Sequence, residues 1–176
     1  MRSLIVVAAL AATAHADSLT VVDVGATGGM RTHAESFDAI GHGRAHPAAG
    51  LRLTLSFERP PLQYIDHPVH EARFVPELFV GALGDDRLGE GYVGAGLRLE
   101  EAVAAQPQRM NGGMYAAGRG LVIGKHQDSA VELAVGSYLR TRSGSRIGWE
   151  VGVMARPRDR ERRHELDALV TLYIGL

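Results

Sequence analysis

Leu51-Arg52-Leu53-Thr54-Leu55-Ser56-Phe57-Glu58 alternates without a break between apolar side chains and charged or hydroxyl-bearing ones. Only a β-strand sends every second side chain to the same face, so this segment divides an oily side from a polar one. Comparable alternation recurs seven more times and predicts eight strands. They are Leu19 to Met30, Leu51 to Glu58, Arg73 to Leu83, Tyr92 to Glu100, Met114 to Ile123, Ala130 to Arg140, Ile147 to Arg156 and Leu166 to Leu176. The third is ambiguous. Phe74, Leu78, Val80 and Ala82 share a face, but Val75, Phe79 and Leu83 are apolar on the other, and Pro76 cannot donate to a ladder.

Turn chemistry separates the segments at Gly84-Asp85-Asp86, Asn111-Gly112-Gly113, Ser143-Gly144-Ser145 and Pro157-Arg158-Asp159. No helix of three turns has an apolar stripe of 3.6-residue period; Glu100 to Ala105 could form one short turn. Pro60 to Glu71, Glu101 to Gly112 and Arg31 to Pro47 read as longer connections. So many strands avoid exposed edges by closing into a barrel.

Residues 1–16 have the form of a cleaved export signal, with Arg2 as the positive end, an apolar run from Leu4 to Ala12 and Ala14-His15-Ala16 at the cleavage point. Cleavage there leaves residues 17–176 as a single domain. The chain has no cysteine, so an exported fold must hold without disulfides. Losing Arg2 leaves 18 basic against 20 acidic residues, a balance that argues against nucleic acid as a partner.

Alternation fits two barrels that are inside-out versions of one another. A soluble lipocalin-like barrel turns its apolar phase inward to a ligand; a membrane barrel turns it outward to lipid. The polar phase here is rich in glycine, including Gly25, Gly94, Gly96, Gly136, Gly148, Gly152 and Gly175. A crowded eight-strand lumen needs small residues beside large ones, whereas a water-facing surface does not. The apolar phase is free of charge at mid-strand (Leu53, Leu97, Leu133, Val151, Leu172). With both termini in the periplasm, Phe57, Phe74 and Trp149 would form an aromatic girdle at the periplasmic interface.

The chain thus resembles the small eight-stranded outer-membrane barrels of Gram-negative bacteria, the OmpA/OmpX-like class, over Leu19 to Leu176. The resemblance implies an all-β, eight-stranded, antiparallel up-and-down transmembrane barrel. It also implies outer-membrane lipid, lipopolysaccharide and the outer-membrane assembly machinery as partners, a monomeric state, no cofactor and no catalysis. Such barrels usually end in an alternating strand with a terminal aromatic; here Val170, Leu172 and Ile174 lead to Leu176.

The inward phase of such a barrel would carry Arg52, Glu58, Glu77, Arg98, Glu100, Arg119, Glu132, Arg140, Glu150 and Arg156, five charges of each sign. Buried charges must pair, so these predict a lumen plugged by Arg–Glu pairs, with a narrow pore as the alternative. Tyr92, Tyr115, Tyr138 and Tyr173 share that phase. Asp66-His67-Pro68-Val69-His70-Glu71 holds four ligand-type residues, but with no fixed common face it reads as a solvated turn and not a metal site. His42 and His46 have no carboxylate motif beside them. His126, Ser129 and Glu132 are the one set resembling nucleophilic hydrolysis, as used by outer-membrane lipid A deacylases. Arg156, Arg158, Arg160, Arg162, Arg163 and His164 form a basic run that could meet lipopolysaccharide phosphates. The expected role is structural, adhesive or envelope-stabilising. Alternatives are a soluble periplasmic carrier of an apolar ligand and a lipid A-modifying hydrolase.

Overall fold

The computed structural model describes residues 19–34, 44–60, 68–84, 89–104, 111–124, 127–141, 145–158 and 163–176. Eight strands follow one another: β1 (Leu19–Ala34), β2 (Arg44–Glu58), β3 (Val69–Gly84), β4 (Gly89–Ala104), β5 (Asn111–Ile123), β6 (Asp128–Arg140), β7 (Arg146–Arg158) and β8 (Arg163–Gly175). Each pairs antiparallel with its sequence neighbour, and β8 returns to β1, closing the barrel. The last residue adds to that seam: Leu176 and Val22 exchange backbone hydrogen bonds of 2.9 and 3.2 Å. Closure leaves no strand edge for another chain to extend.

The register fixes the barrel's shape. Pairing carries Val21 to Ser56, Glu77, Gly96, Arg119, Glu132, Met154, Asp167 and then Arg31, ten residues further along β1. With a rise of ~3.3 Å per residue and a strand spacing of ~4.8 Å, that stagger over eight strands tilts them by about 40°. A barrel of this size has an interior that side chains can fill. Leu19 and Leu176 lie at one end (the terminal end); the β1–β2, β3–β4, β5–β6 and β7–β8 connections mark the distal end.

The two faces divide as alternation requires. Outward positions of β8 read Leu166, Ala168, Val170, Leu172, Ile174 and Leu176, exposed from Ala168 onward. Ten residues at this tilt make an apolar band about 25 Å tall, the height outer-membrane barrels present to lipid. Among the described strand side chains, the one outward-facing carboxylate is Glu101, at the terminal end, and no guanidinium faces outward. Phe57, Phe74 and Trp149 all stand on the outer face in the terminal half of their strands, Phe74 and Trp149 exposed and Phe57 partly covered.

Several strands outrun their alternation. β2 starts at Arg44 and pairs with β1 through Arg31↔His46, Thr32↔Ala45 and His33↔Arg44, so part of the expected Arg31 to Pro47 connection is ladder. Val69 to Ala72 pair with Glu101 to Ala104, which removes the expected helical turn at Glu100 to Ala105 and shortens the connections expected at Pro60 to Glu71 and Glu101 to Gly112. These extensions reach the ends of the apolar band, where outward side chains need not be apolar and the period fades while backbone pairing continues. The ambiguous third strand is real: Val75, Phe79 and Leu83 point into the lumen and are buried. The β2–β3 ladder stops at Ser56↔Glu77, one residue before Pro76, where a missing N–H costs no interior ladder bond. Between β5 and β6, Gly124 takes the left-handed conformation (φ 66°) and donates to the Gly91 carbonyl at 2.9 Å.

Candidate functional site in the barrel lumen

The lumen concentrates the chain's buried chemistry. Sixteen charged side chains are buried among the described residues, eight acidic and eight basic. The ten named above are all among them. The others are Asp23, Glu165, Asp167, Arg31, Arg73 and Arg146. Equal numbers of opposite charge are what a water-poor interior requires, since an unpaired buried ion is costly.

One continuous network occupies the terminal and middle levels. Arg52 donates to Glu132 at 2.8 Å and to Glu150 at 2.9 Å. Arg119 grips Glu150 through both terminal nitrogens at 2.7 and 2.6 Å and reaches Glu77 through Nε at 3.0 Å. Arg98 continues the chain, pairing with Glu77 at 3.2 Å, Glu100 at 3.0 Å and Glu58 at 2.7 Å. Glu58 is the hub, also accepting from Arg140 and Arg146, and Arg146 forks onto Asp23. Nine of the ten residues picked from alternation are joined here, with Asp23 and Arg146 added. Seven strands are thereby tied together across the lumen.

Arg156 lies near the distal end, bonded to Glu90 at 2.6 Å and Glu165 at 3.1 Å. Arg31 and Asp167 form a two-toothed pair at 2.9 and 3.1 Å. All eight buried cations are arginine, and the whole chain has a single lysine, Lys125. A planar guanidinium can serve two or three carboxylates in different directions, as Arg119 and Arg98 do; an ammonium cannot hold that geometry.

The lumen is not polar throughout. Phe79, Leu83, Leu121, Ile123, Met154 and Leu169 pack with Ala48, Tyr92 and Ala130 into an apolar cluster toward the distal end. The alternation hid these residues because each sits on the otherwise polar phase. Nearer the terminal end Tyr115, Tyr138 and Tyr173 pack with Ala117, and guanidiniums lie over their rings. Arg98 is 4.9 Å from the Tyr115 centroid, and Arg146 is 5.6 Å from those of Tyr138 and Tyr173. Glycine makes the rings fit. Tyr92, Tyr115, Tyr138 and Tyr173 lie across from Gly81, Gly136, Gly113 and Gly148 on the adjacent strand. A Cβ at any of the four would come within 2.4–2.8 Å of the ring.

Among the described residues the lumen cavities are small. One of about 20 Å³ is lined by Asp23, Glu77 and Glu150 together with Arg52, Arg98 and Arg119. That holds about one water; small-molecule pockets run to roughly 300–1,000 Å³. A lipocalin-like carrier, which needs an apolar interior cavity and a polar exterior, does not match this division of faces.

The remaining candidates separate. Ser129 is exposed on the outer face of β6 and Glu132 is buried on the inner face, so the two cannot converge on one reacting atom; His126 lies outside the described residues. Asp66 and His67 also lie outside them. His70 is exposed on β3 and meets Glu101 at 3.3 Å, while Glu71 bonds Arg73 at 2.8 Å and Arg59 at 3.2 Å. His42, Arg160 and Arg162 are outside the described residues, and His46 is partly covered in β2. No group of three or more metal-ligating side chains forms among the described residues.

Asp23 and Asp167 were visible as polar members of alternating runs. Arg31 was concealed inside a presumed loop, Arg146 beside a turn, and Arg73 and Glu165 at strand ends.

No protein-family model and no curated protein matches the sequence. Among solved structures, the outer-membrane enzyme PagL superposes with a TM-score of 0.55 at 13% sequence identity, over 88% of this chain and 98% of that one. Neisserial surface protein A, NspA, gives a TM-score of 0.43 at 6% identity, over 88% of this chain and 96% of that one. The fold is therefore that of a small eight-stranded outer-membrane barrel.

Proposed function

We propose that this chain is an outer-membrane barrel of the OmpA/OmpX-like kind that works without catalysis, as a structural, adhesive or envelope-stabilising protein. One observation carries the reading: an outward apolar band about 25 Å tall surrounds a lumen packed with eight acidic and eight basic side chains. The described lumen cavities are about the size of one water, which favours the outer wall and the connecting loops as the working surfaces. Residues 1–16 serve as the cleaved export signal. The alternating end of β8, Val170 through Leu176, is what the assembly machinery would engage, and lipid and lipopolysaccharide surround the monomer. The aromatics Phe57, Phe74 and Trp149 then sit at the periplasmic interface.

The test is expression of the full-length chain in a Gram-negative host. The protein should fractionate with the outer membrane, require detergent for extraction and shift in gel mobility on boiling. A product freely soluble without detergent overturns the reading. A hydrolase acting on lipid A is the competing proposal. Expression should leave the lipid A acylation profile unchanged; a shortened profile that depends on Ser129 would replace the non-catalytic reading.

A further inference from the structure

A second, smaller cavity opens at the terminal mouth of the lumen, with a volume of about 10 Å³. Arg73 from β3 and Arg140 from β6 line it, with Tyr138, and the ends of β4 and β5 supply the wall between them through Ala102, Asn111 and Gly112. Among the described residues no carboxylate lines it, although Glu100, across the β3–β4 ladder from Arg73, accepts from the Tyr138 hydroxyl just beside it; the larger lumen cavity is lined by three acids and three arginines. Both guanidiniums are more than nine-tenths buried, and the Nε of each lacks a hydrogen-bond partner among the described residues.

Each of them shares its bonded carboxylate with other arginines. The carboxylate on Arg140 is Glu58, which Arg98 and Arg146 also use. The carboxylate on Arg73 is Glu71, which lies at the rim and also serves the exposed Arg59. Two buried guanidiniums that line one small space, each with an unpartnered Nε–H and a shared carboxylate, have the chemistry to hold an oxyanion.

We propose that this mouth is a binding site for a small oxyanion, a carboxylate or phosphate, which inserts one oxygen between Arg73 and Arg140 from the aqueous side. The pocket lies inside the barrel wall, so the ligand comes from solution and not from a lipid headgroup. The site depends on the closed barrel alone, whatever the barrel's wider role.

Crystals of the detergent-solubilised full chain soaked in bromide should show an anomalous peak within about 3.5 Å of both guanidiniums. Calorimetric titration in micelles with acetate and with inorganic phosphate should saturate, and either ion should displace bromide. Arg73→Gln removes one arm, and Ala102→Val fills the pocket while leaving the charges in place; each should weaken binding by about tenfold or more, with Ala102→Val keeping the parent unfolding midpoint. The proposal fails if a water alone occupies the pocket in bromide-soaked crystals. It fails if both variants bind as the parent does, or if a short-chain phosphatidylglycerol binds while acetate and phosphate do not.

Discussion

At the scale of single residues, the lumen turns on directional partners. Arg119 holds Glu77 and Glu150 from three nitrogens, so Arg119→Lys, which keeps the charge but loses the fork, should cost about 1.5–3 kcal/mol. Glu58→Gln removes the shared anion of Arg98, Arg140 and Arg146 and should cost about 3–5 kcal/mol, whereas Glu101→Gln at the exposed rim should change stability by less than about 1 kcal/mol. Urea unfolding of the protein refolded into lipid vesicles measures all three. Glycine gives an equally sharp contrast. A Cβ on Gly136 would lie 2.4 Å from the Trp149 carbonyl oxygen and 2.6 Å from the Tyr115 ring, while one on Gly120 meets nothing within 4 Å. Gly136→Ala should therefore destabilise by about 1–3 kcal/mol and Gly120→Ala should be neutral to within about 1 kcal/mol, read from the same unfolding curves.

At the scale of strands, the outer face is the apolar band that the proposed membrane setting places against lipid. Leu133 lies mid-band on β6 and is 65% exposed, so Leu133→Arg should cost about 2–4 kcal/mol in a bilayer and lower the yield of folded, heat-modifiable protein. A wild-type yield would mean that this face does not meet hydrocarbon. The same division explains what could be read before the structure. Period two is imposed wherever one face meets lipid and the other a crowded lumen, so all eight strands were legible through their mid-sections, and mid-strand charges such as Arg98 and Glu132 follow the inward phase. Where the constraint lapses, the pattern lapses. Arg44 to Pro47 and Glu101 to Ala104 pair beyond the band with no alternation to announce them. Phe79, Leu83, Ile123 and Leu169 defied the pattern for another reason: an apolar lumen cluster makes both faces of a strand hydrophobic, and periodicity cannot then tell inside from outside.

At the scale of the whole molecule, an eight-strand barrel with a ten-residue stagger has an interior near the size that side chains can fill, and this chain fills it in two ways. Arginine and carboxylate bridges lace seven strands together in the terminal and middle levels, and an apolar cluster occupies the distal part. Which charges join which could not be read from the sequence, because the network is assembled across strands far apart in the chain; Arg146 and Glu58 are 88 residues apart. Buried ionic networks of this kind contribute little net stability relative to apolar packing, but removing any one partner is costly, so the lumen resists piecemeal opening. A lumen this full should not conduct. Planar-bilayer recording of the purified, refolded protein should show no stable unitary current at any moderate holding potential; large, steady single-channel steps from the intact barrel would mean that the interior is open.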